Sequence, residues 1–393
     1  MNILFGILTI LSIVGVAYAI SSDRKSVKWR TVGVGLLGQA ILIFFVMKIP
    51  VGQKILQCLA IGADKIIQIG MEGVTFVFGD LSTNYFIFAI AVLSLIVFTS
   101  ALISVLYFLK IIPFFVNIIG KGIAKIMGTT TVETFSAVGN SFLGGTEAPL
   151  LIKPYISKLT KSELFCVMSA GFGSASASIL AGYSMMGIDM KYLLIAVFTV
   201  PFSCLMISKI IIPETEESQV KDAIVTKSEY SNLFEAIGDG ASTGKDLALN
   251  VGAMLIAFIG LVGVLNAILG IFGSSLTAIL GYIFSPIGYL MNIPSNEVNA
   301  FASLIGTKTA VNEFVAYSTM SPMINDLSAR TVAILSVVLC NFANLSVIGI
   351  QIGGFSVLAP ERKGEVAKLG IKALLVGLLA TLITGALVGM MFV

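Results

Sequence analysis

The sequence predicts an all-α polytopic membrane protein, and three observations carry that reading. The chain of 393 residues is 57% hydrophobic and only 11% charged, whereas soluble domains carry about 25% charged residues. Its apolar residues form continuous runs rather than alternating, which favours spanning helices over barrel strands. Two short polar, acidic segments, Asn140 to Pro149 and Thr309 to Tyr317, interrupt otherwise lipid-soluble sequence. A carboxylate at membrane depth costs roughly 2.5 to 3.5 kcal/mol on insertion scales, so Glu147 and Glu313 are expected to have a task there.

Eight apolar runs are long enough to cross, at about 17 to 25 residues per span. They are 3–20, 31–47, 85–110, 163–183, 190–212, 248–272, 329–358 and 366–393. The first ends in Ala17-Tyr18-Ala19, which mimics a signal-peptidase site, but its positive charges (Arg24, Lys25, Lys28, Arg30) follow the apolar core instead of preceding it. A retained transmembrane helix is therefore expected. Short basic loops stay cytoplasmic, so this cluster predicts that both termini lie outside. Three apolar but interrupted stretches, Val51 to Gly70, Pro113 to Met127 and Ser275 to Asn292, read as interfacial amphipathic helices. Pro213 to Asp246 is hydrophilic, with acids such as Glu214, Asp222, Glu229 and Asp246 outnumbering Lys221, Lys227 and Lys245. It reads as a cytoplasmic connector with a short helix and has no EF-hand spacing.

Two segments read as re-entrant. Thr131 to Leu159 is apolar, breaks at Gly144-Gly145 and Pro149, and resumes; Ser295 to Met323 does the same around Gly306-Thr307-Lys308. Non-helical backbone at membrane depth is tolerated only where it is buried or lines a cavity. Each segment leads into a span interrupted by small polar residues, Ser169 to Ser176 in the first half and Cys340 to Ser346 in the second. Ser174 lies 27 residues past Glu147, and Asn344 lies 31 past Glu313. With an odd number of crossings between them, the halves are expected to be inverted repeats with a binding site at their interface, the pattern of a secondary transporter.

Several chemistries are excluded. The chain has no histidine, so a histidine proton relay and a Ser-His-Asp triad are absent. The cysteines Cys58, Cys166, Cys204 and Cys340 are scattered and read as packing residues. A net charge of +3, without a basic cluster interleaved with aromatics, argues against a nucleic-acid partner. Gly33 to Gly38 matches the dinucleotide fingerprint but sits inside a spanning run, so helix packing explains it better. Glu147 and Glu313 can accept charge-assisted hydrogen bonds from hydroxyls or ring N–H groups, which suits an uncharged, hydroxyl-rich or amide-like ligand. The competing reading pairs them with Lys153 and Lys308. Asn140, Ser141, Thr146, Ser174, Ser176 and Ser178 are hard oxygen donors that suit an alkali cation, or else small residues that let helices approach. Phe342, between Asn341 and Asn344, offers a face to a planar ligand.

Three segments are recognisable: Gly-Gly-Thr-Glu-Ala-Pro-Leu-Leu-Ile-Lys-Pro-Tyr (Gly144 to Tyr155), Asn-Glu-Phe-Val-Ala-Tyr (Asn312 to Tyr317) and Phe-Ala-Asn-Leu-Ser-Val-Ile-Gly-Ile-Gln-Ile-Gly-Gly (Phe342 to Gly354). They resemble the signatures of the concentrative nucleoside transporter family, bacterial branch, and the resemblance runs along essentially the whole chain. It implies eight transmembrane helices, two re-entrant hairpins, a homotrimer in the bacterial cytoplasmic membrane, and an elevator-type transport domain moving against a scaffold. The chain then divides into scaffold helices (1–110), a first repeat (111–213), the connector (214–247), a further scaffold helix (248–272) and a second repeat (273–393). The implied activity is sodium-coupled import of nucleosides such as uridine or adenosine, without enzymatic chemistry.

The resemblance also implies site roles. Thr146 and Glu147 would contact the nucleobase, Glu313 and Asn344 the ribose hydroxyls, and Phe342 would line the same pocket. Na⁺ would be held by Asn140, the carbonyl of Leu143, Ser174 and the carbonyl of Ala175. Three positions depart from the family pattern. Gly145 replaces a base-contacting Gln, with a water expected in the vacated space. Val347 stands where many members have a ribose-binding Ser, with Ser346 beside it, and Asn341 replaces a common Gly. Two alternatives remain: proton coupling through Glu147 or Glu313, and a membrane enzyme acting on a lipid-linked sugar or nucleotide.

Overall fold

The structure is a computed structural model that describes every residue except 84–86, 146, 221, 222, 224, 226–229 and 393, with only the backbone of Thr83, Met254, Phe258 and Thr277. Lys221, Asp222, Lys227 and Glu229 of the connector thus lie outside the described residues, as does Thr146.

Regular structure among the described residues is helical throughout. α1 (Asn2–Ala19) and α2 (Trp29–Lys48) are joined by a short loop. There Asp23 accepts hydrogen bonds from Ser26 Oγ at 2.6 Å and the Lys25 amide at 3.1 Å. These bonds, the Ser26 one foremost, hold the Asp23 carboxyl below its usual range. α2 contains the glycine pattern, and Gly35 and Gly38 lie against Phe202, in keeping with helix packing. α3 (Pro50–Phe78) is amphipathic as expected but runs on past Gly70 as one helix of 29 residues. After the single turn α4 (Asp80–Thr83), a π-helical segment (Ala89–Leu93) leads into α5 (Ser94–Phe108).

From here the chain passes twice through the same succession. An amphipathic helix, α6 (Ile111–Met127), precedes a hairpin made of α7 (Thr131–Gly139), an unwound tip and a 3₁₀ stretch (Ala148–Lys158). A broken helix, α8 (Lys161–Gly173) and α9 (Ala177–Met185), and then α10 (Met190–Ile211) follow. After α11 (Leu233–Gly270), the second pass is α12 (Leu276–Leu290), a hairpin of α13 (Val298–Ala310) and α14 (Glu313–Met320), the broken pair α15 (Ala329–Val338) and α16 (Leu345–Leu358), and α17 (Lys363–Met390).

Several boundaries differ from expectation. Among the described residues, seven helices are long and apolar enough to cross a membrane; the expected run 329–358 is two half-helices, α15 and α16, separated by a break. The second hairpin breaks at Val311-Asn312 and not at Gly306-Thr307-Lys308. Gly306 stays helical because its bare Cα packs on α12, where an added Cβ would lie 2.5 Å from the Leu280 Cβ. The first broken span is helical through Gly173 and opens only at Ser174 to Ser176. Finally, α11 begins at Leu233, well before the expected 248, because Asn232 caps it by accepting from the Glu235 amide at 3.0 Å. The latter half of the connector is therefore the first turns of a 38-residue helix.

Local signals explain the hairpin entries. Thr130 and Glu133, and again Thr160 and Glu163, form capping boxes that start α7 and α8. Glu133 then turns its second oxygen to Lys209 of α10 at 2.6 Å, and Lys209 also reaches Ser162 Oγ at 2.9 Å and Glu214 at 3.4 Å. One buried ammonium so ties the base of the first hairpin to α8, α10 and the start of the connector.

The core is formed by the broken helix α8–α9, α10 and α17, whose most apolar windows are 94%, 89% and 89% buried. The corresponding windows of α1, α2 and α11 are only 28%, 28% and 6% buried and present Leu, Ile and Phe outward, as a lipid-facing surface requires. α8 and α17 touch closely at Gly377, where an added Cβ would lie within 2.9 Å of the Phe172 carbonyl. Gly377→Ala is expected to destabilise the protein by about 1 to 3 kcal/mol through overpacking. Gly260→Ala on α11, with nothing within 4 Å, should be neutral or stabilising by up to ~1 kcal/mol. Melting temperatures in detergent check this, and equal values for the two variants would contradict the packing.

Candidate functional site

Both hairpin tips and both helix breaks open onto one cavity of about 430 Å³, within the roughly 300 to 1,000 Å³ of small-molecule sites. Gly144, Gly145 and Glu147 reach it from the first hairpin, Ser176 and Ser178 from the α8–α9 break, and Asn312 and Glu313 from the second hairpin. Phe342, Asn344, Ser346 and Val347 reach it from the α15–α16 break. Seven of the expected substrate residues (Gly145, Glu147, Glu313, Phe342, Asn344, Ser346, Val347) therefore line a single space.

At one end the chain fixes a carboxylate. Asn312 caps α14 by accepting from the Val315 amide at 2.8 Å, and this starts the helix with Glu313 as its first residue. Tyr183 of α9 donates its hydroxyl to Glu313 Oε1 at 3.1 Å, and Asn344 Nδ2 donates to Oε2 at 3.3 Å. The Tyr183 ring is in turn packed against Phe314 and Tyr317, with centroids 4.9 and 4.6 Å away. Lys308 does not form the alternative ion pair; it is fully buried, and its Nζ reaches the Val338 carbonyl at 3.5 Å. Asn344 acts twice, since its Oδ1 caps α16 by accepting from the Val347 amide at 3.2 Å. That oxygen also accepts from Ser346 Oγ at 2.6 Å, which turns Ser346 towards its own helix cap.

At Gly145, Gln351 of α16 stands where a water was expected. It is 1% exposed and donates Nε2 to the Gly145 carbonyl at 3.2 Å. A Cβ on Gly145 would lie 2.6 Å from the Gly171 carbonyl and 3.0 Å from Gln351 Nε2. The backbone and the amide already fill the space that a side chain at 145 would need.

The residues expected to hold a cation lie just past the C-terminal ends of two packed helices, Asn140 and Leu143 after α7, Ser174 and Ala175 after α8. Asn140, Leu143, Ser174 and Ala175 are all buried. Asn140 Nδ2 donates to the Ser136 carbonyl at 2.8 Å, but its Oδ1 is buried and has no hydrogen-bond partner among the described residues. Buried polar atoms are almost always satisfied, so this orphaned oxygen fits a hard cation. Ser174 Oγ sits 3.1 Å from the Ala175 carbonyl. Two other candidate oxygens are engaged elsewhere, Ser141 with the Val197 carbonyl at 2.7 Å and Ser176 with Ser178 at 2.6 Å.

Sequence reasoning missed Tyr183, Gly171, Gln351 and one wall of the cavity. That wall is α11, through Thr243, Asp246 and Asn250. Their spacing puts them on one helical face, and that shared face was the available signal.

Comparison with known proteins agrees with this geometry. Models of the Na⁺-dependent nucleoside transporter match its C-terminal part at residues 192–389 and its N-terminal part at 8–81, with a nucleoside recognition model at 89–190. The chain is 42% identical to the transporter YutK of Bacillus subtilis over 99% of this chain and 100% of that protein. It is 39% identical to the nucleoside permease NupC of Helicobacter pylori over 98% and 97%. Mouse sodium/nucleoside cotransporter 2 is 32% identical over 96% of this chain and 61% of its own. Among solved structures, CNTnw in an inward-facing substrate-bound state superposes with a TM-score of 0.96 at 39% identity, covering 100% of this chain and 99% of the other. Carboxylates from opposite hairpins, Glu147 and Glu313, facing one cavity, on this fold and with these relatives, mean that the chain belongs to the concentrative nucleoside transporter family, a family of membrane transporters and not of enzymes.

Proposed function

We propose that the protein is a sodium-coupled importer of nucleosides that works by elevator-like alternating access, as a homotrimer in the bacterial cytoplasmic membrane with both termini periplasmic. The observation that carries the substrate class is Glu313, held by Tyr183 and Asn344 and facing the cavity. A fixed carboxylate accepts strongly from vicinal hydroxyls, which suits ribose. Phe342 lies beside it for the sugar–base face, and Glu147 is available to N–H groups of the base. NupC and cotransporter 2 are by name nucleoside transporters, which favours the same substrate here.

Sodium coupling rests on the orphaned Asn140 Oδ1. A Na⁺ there would draw α7 and the α8–α9 break together, ordering the hairpin tip that carries Gly145 and Glu147. Ion binding would thus prepare the nucleoside site, and by linkage the nucleoside would tighten the ion. Scaffold and transport parts divide along α11, whose Thr243, Asp246 and Asn250 close the cavity from a helix packed on α5. Displacing the hairpin core past this wall would expose the site to the other side.

Uridine uptake into proteoliposomes at fixed pH is expected to require an inward Na⁺ gradient. Uptake that ignores Na⁺ and follows pH would replace sodium with proton coupling. Glu313→Gln is expected to lower uptake by about 100-fold or more, since hydrogen bonds to a charged group are worth roughly 1.5 to 3 kcal/mol each, while insertion and assembly stay normal. Unimpaired uptake by that variant would refute the ribose assignment. Asn140→Ala is expected to raise the Na⁺ concentration for half-maximal uptake about tenfold, measured at saturating uridine.

A further inference from the structure

Gln351 is a buried amide that no other feature of the fold explains. It is 1% exposed and lines the cavity, and its Nε2 is used by the Gly145 carbonyl. Its Oε1 is buried and has no hydrogen-bond partner among the described residues. A buried amide left half satisfied costs stability. Three further observations say what the free end could meet. Asn344, Val347 and Gln351 fall at i, i+3 and i+7 of α16, on one face, and all three line the cavity. Gln351 therefore lies about 10 Å along the helix from the residue that holds Glu313, a distance suited to reaching the base when the sugar is at Glu313. Gly145 and Gly171 beside it have no side chains and approach closely, Gly145 leaving only 2.6 Å between its Cβ position and the Gly171 carbonyl. Both glycines line the cavity, so its wall beside Gln351 is bare backbone with no side chain to block an approach to the amide.

We propose that Gln351 is a specificity-determining residue that reads the nucleobase. Its amide oxygen accepts a ring or exocyclic N–H of the base, while the amide nitrogen stays on the Gly145 carbonyl. Base and sugar are then read from one helix, α16, with Asn344 at the sugar end and Gln351 at the base end. The bond to Gly145 also ties that reading to the first hairpin. This inference rests on the nucleoside assignment above.

The test is competition of radiolabelled uridine uptake by unlabelled uridine, N3-methyluridine and 3′-deoxyuridine, using the full-length protein in proteoliposomes. N3-methyluridine lacks the base N–H; 3′-deoxyuridine lacks a ribose hydroxyl. The wild type is expected to prefer uridine over both. In Gln351→Met, which keeps side-chain length, the preference over N3-methyluridine should fall about tenfold or more, with the preference over 3′-deoxyuridine unchanged. Gln351→Glu, which keeps an acceptor oxygen, should retain the preference over N3-methyluridine; it alone decides the matter if the Met variant does not fold. An unchanged ratio in Gln351→Met, or loss of both preferences together, would overturn the proposal. So would loss of the base preference in Gln351→Glu. Failure of the wild type to take up any nucleoside would instead overturn the substrate assignment itself.

Discussion

A helix that stops inside an apolar slab must satisfy its own end, because no water is there to do so. That constraint organises this protein. Asn312 caps α14 and Asn344 caps α16, each with a side-chain oxygen on an amide three residues on. The residues that solve the problem are polar, buried and line the cavity at the break. Once the gap exists, the same side chains are the available ligand groups. Helix capping and cavity lining are here done by the same residues.

The rest of the fold holds these broken ends in register. α10 and α17 enclose α8, and contacts as close as Gly377 on Phe172 leave little freedom between them. Lys209 adds a polar tie among Glu133, Ser162 and Glu214 at the base of the first hairpin. Such a buried cluster is weak support for stability but strongly directional, and it fixes where the hairpin starts. α1, α2 and α11 are mostly exposed, in contrast to this buried core.

Much of this was legible in the residues. Apolar runs located the crossings, because lipid forces hydrophobic continuity, and the acids Glu147 and Glu313 marked the tips because an idle carboxylate is costly at that depth. Boundaries were harder where a cap decided the matter. Asn232 with Glu235 starts α11 inside sequence that composition alone assigns to a connector, and Gly306 looks like a breaker until Leu280 is seen packed against it. Within the site, the hairpin residues were readable from their motifs. Tyr183 and Gln351 were not, because their roles depend on partners 130 and 206 residues away. A glutamine in an apolar helix was nonetheless the same kind of signal as the two acids.

Asn344 joins the cap of α16 to the carboxylate of Glu313. A substitution there disturbs the α16 cap and the contact to Glu313 at once, so selection has almost no room at that position. Val347 and Gln351, on the same face, neither cap a helix nor touch Glu313. Divergence in substrate preference among relatives should therefore accumulate one and two turns into α16, while its first residue stays frozen.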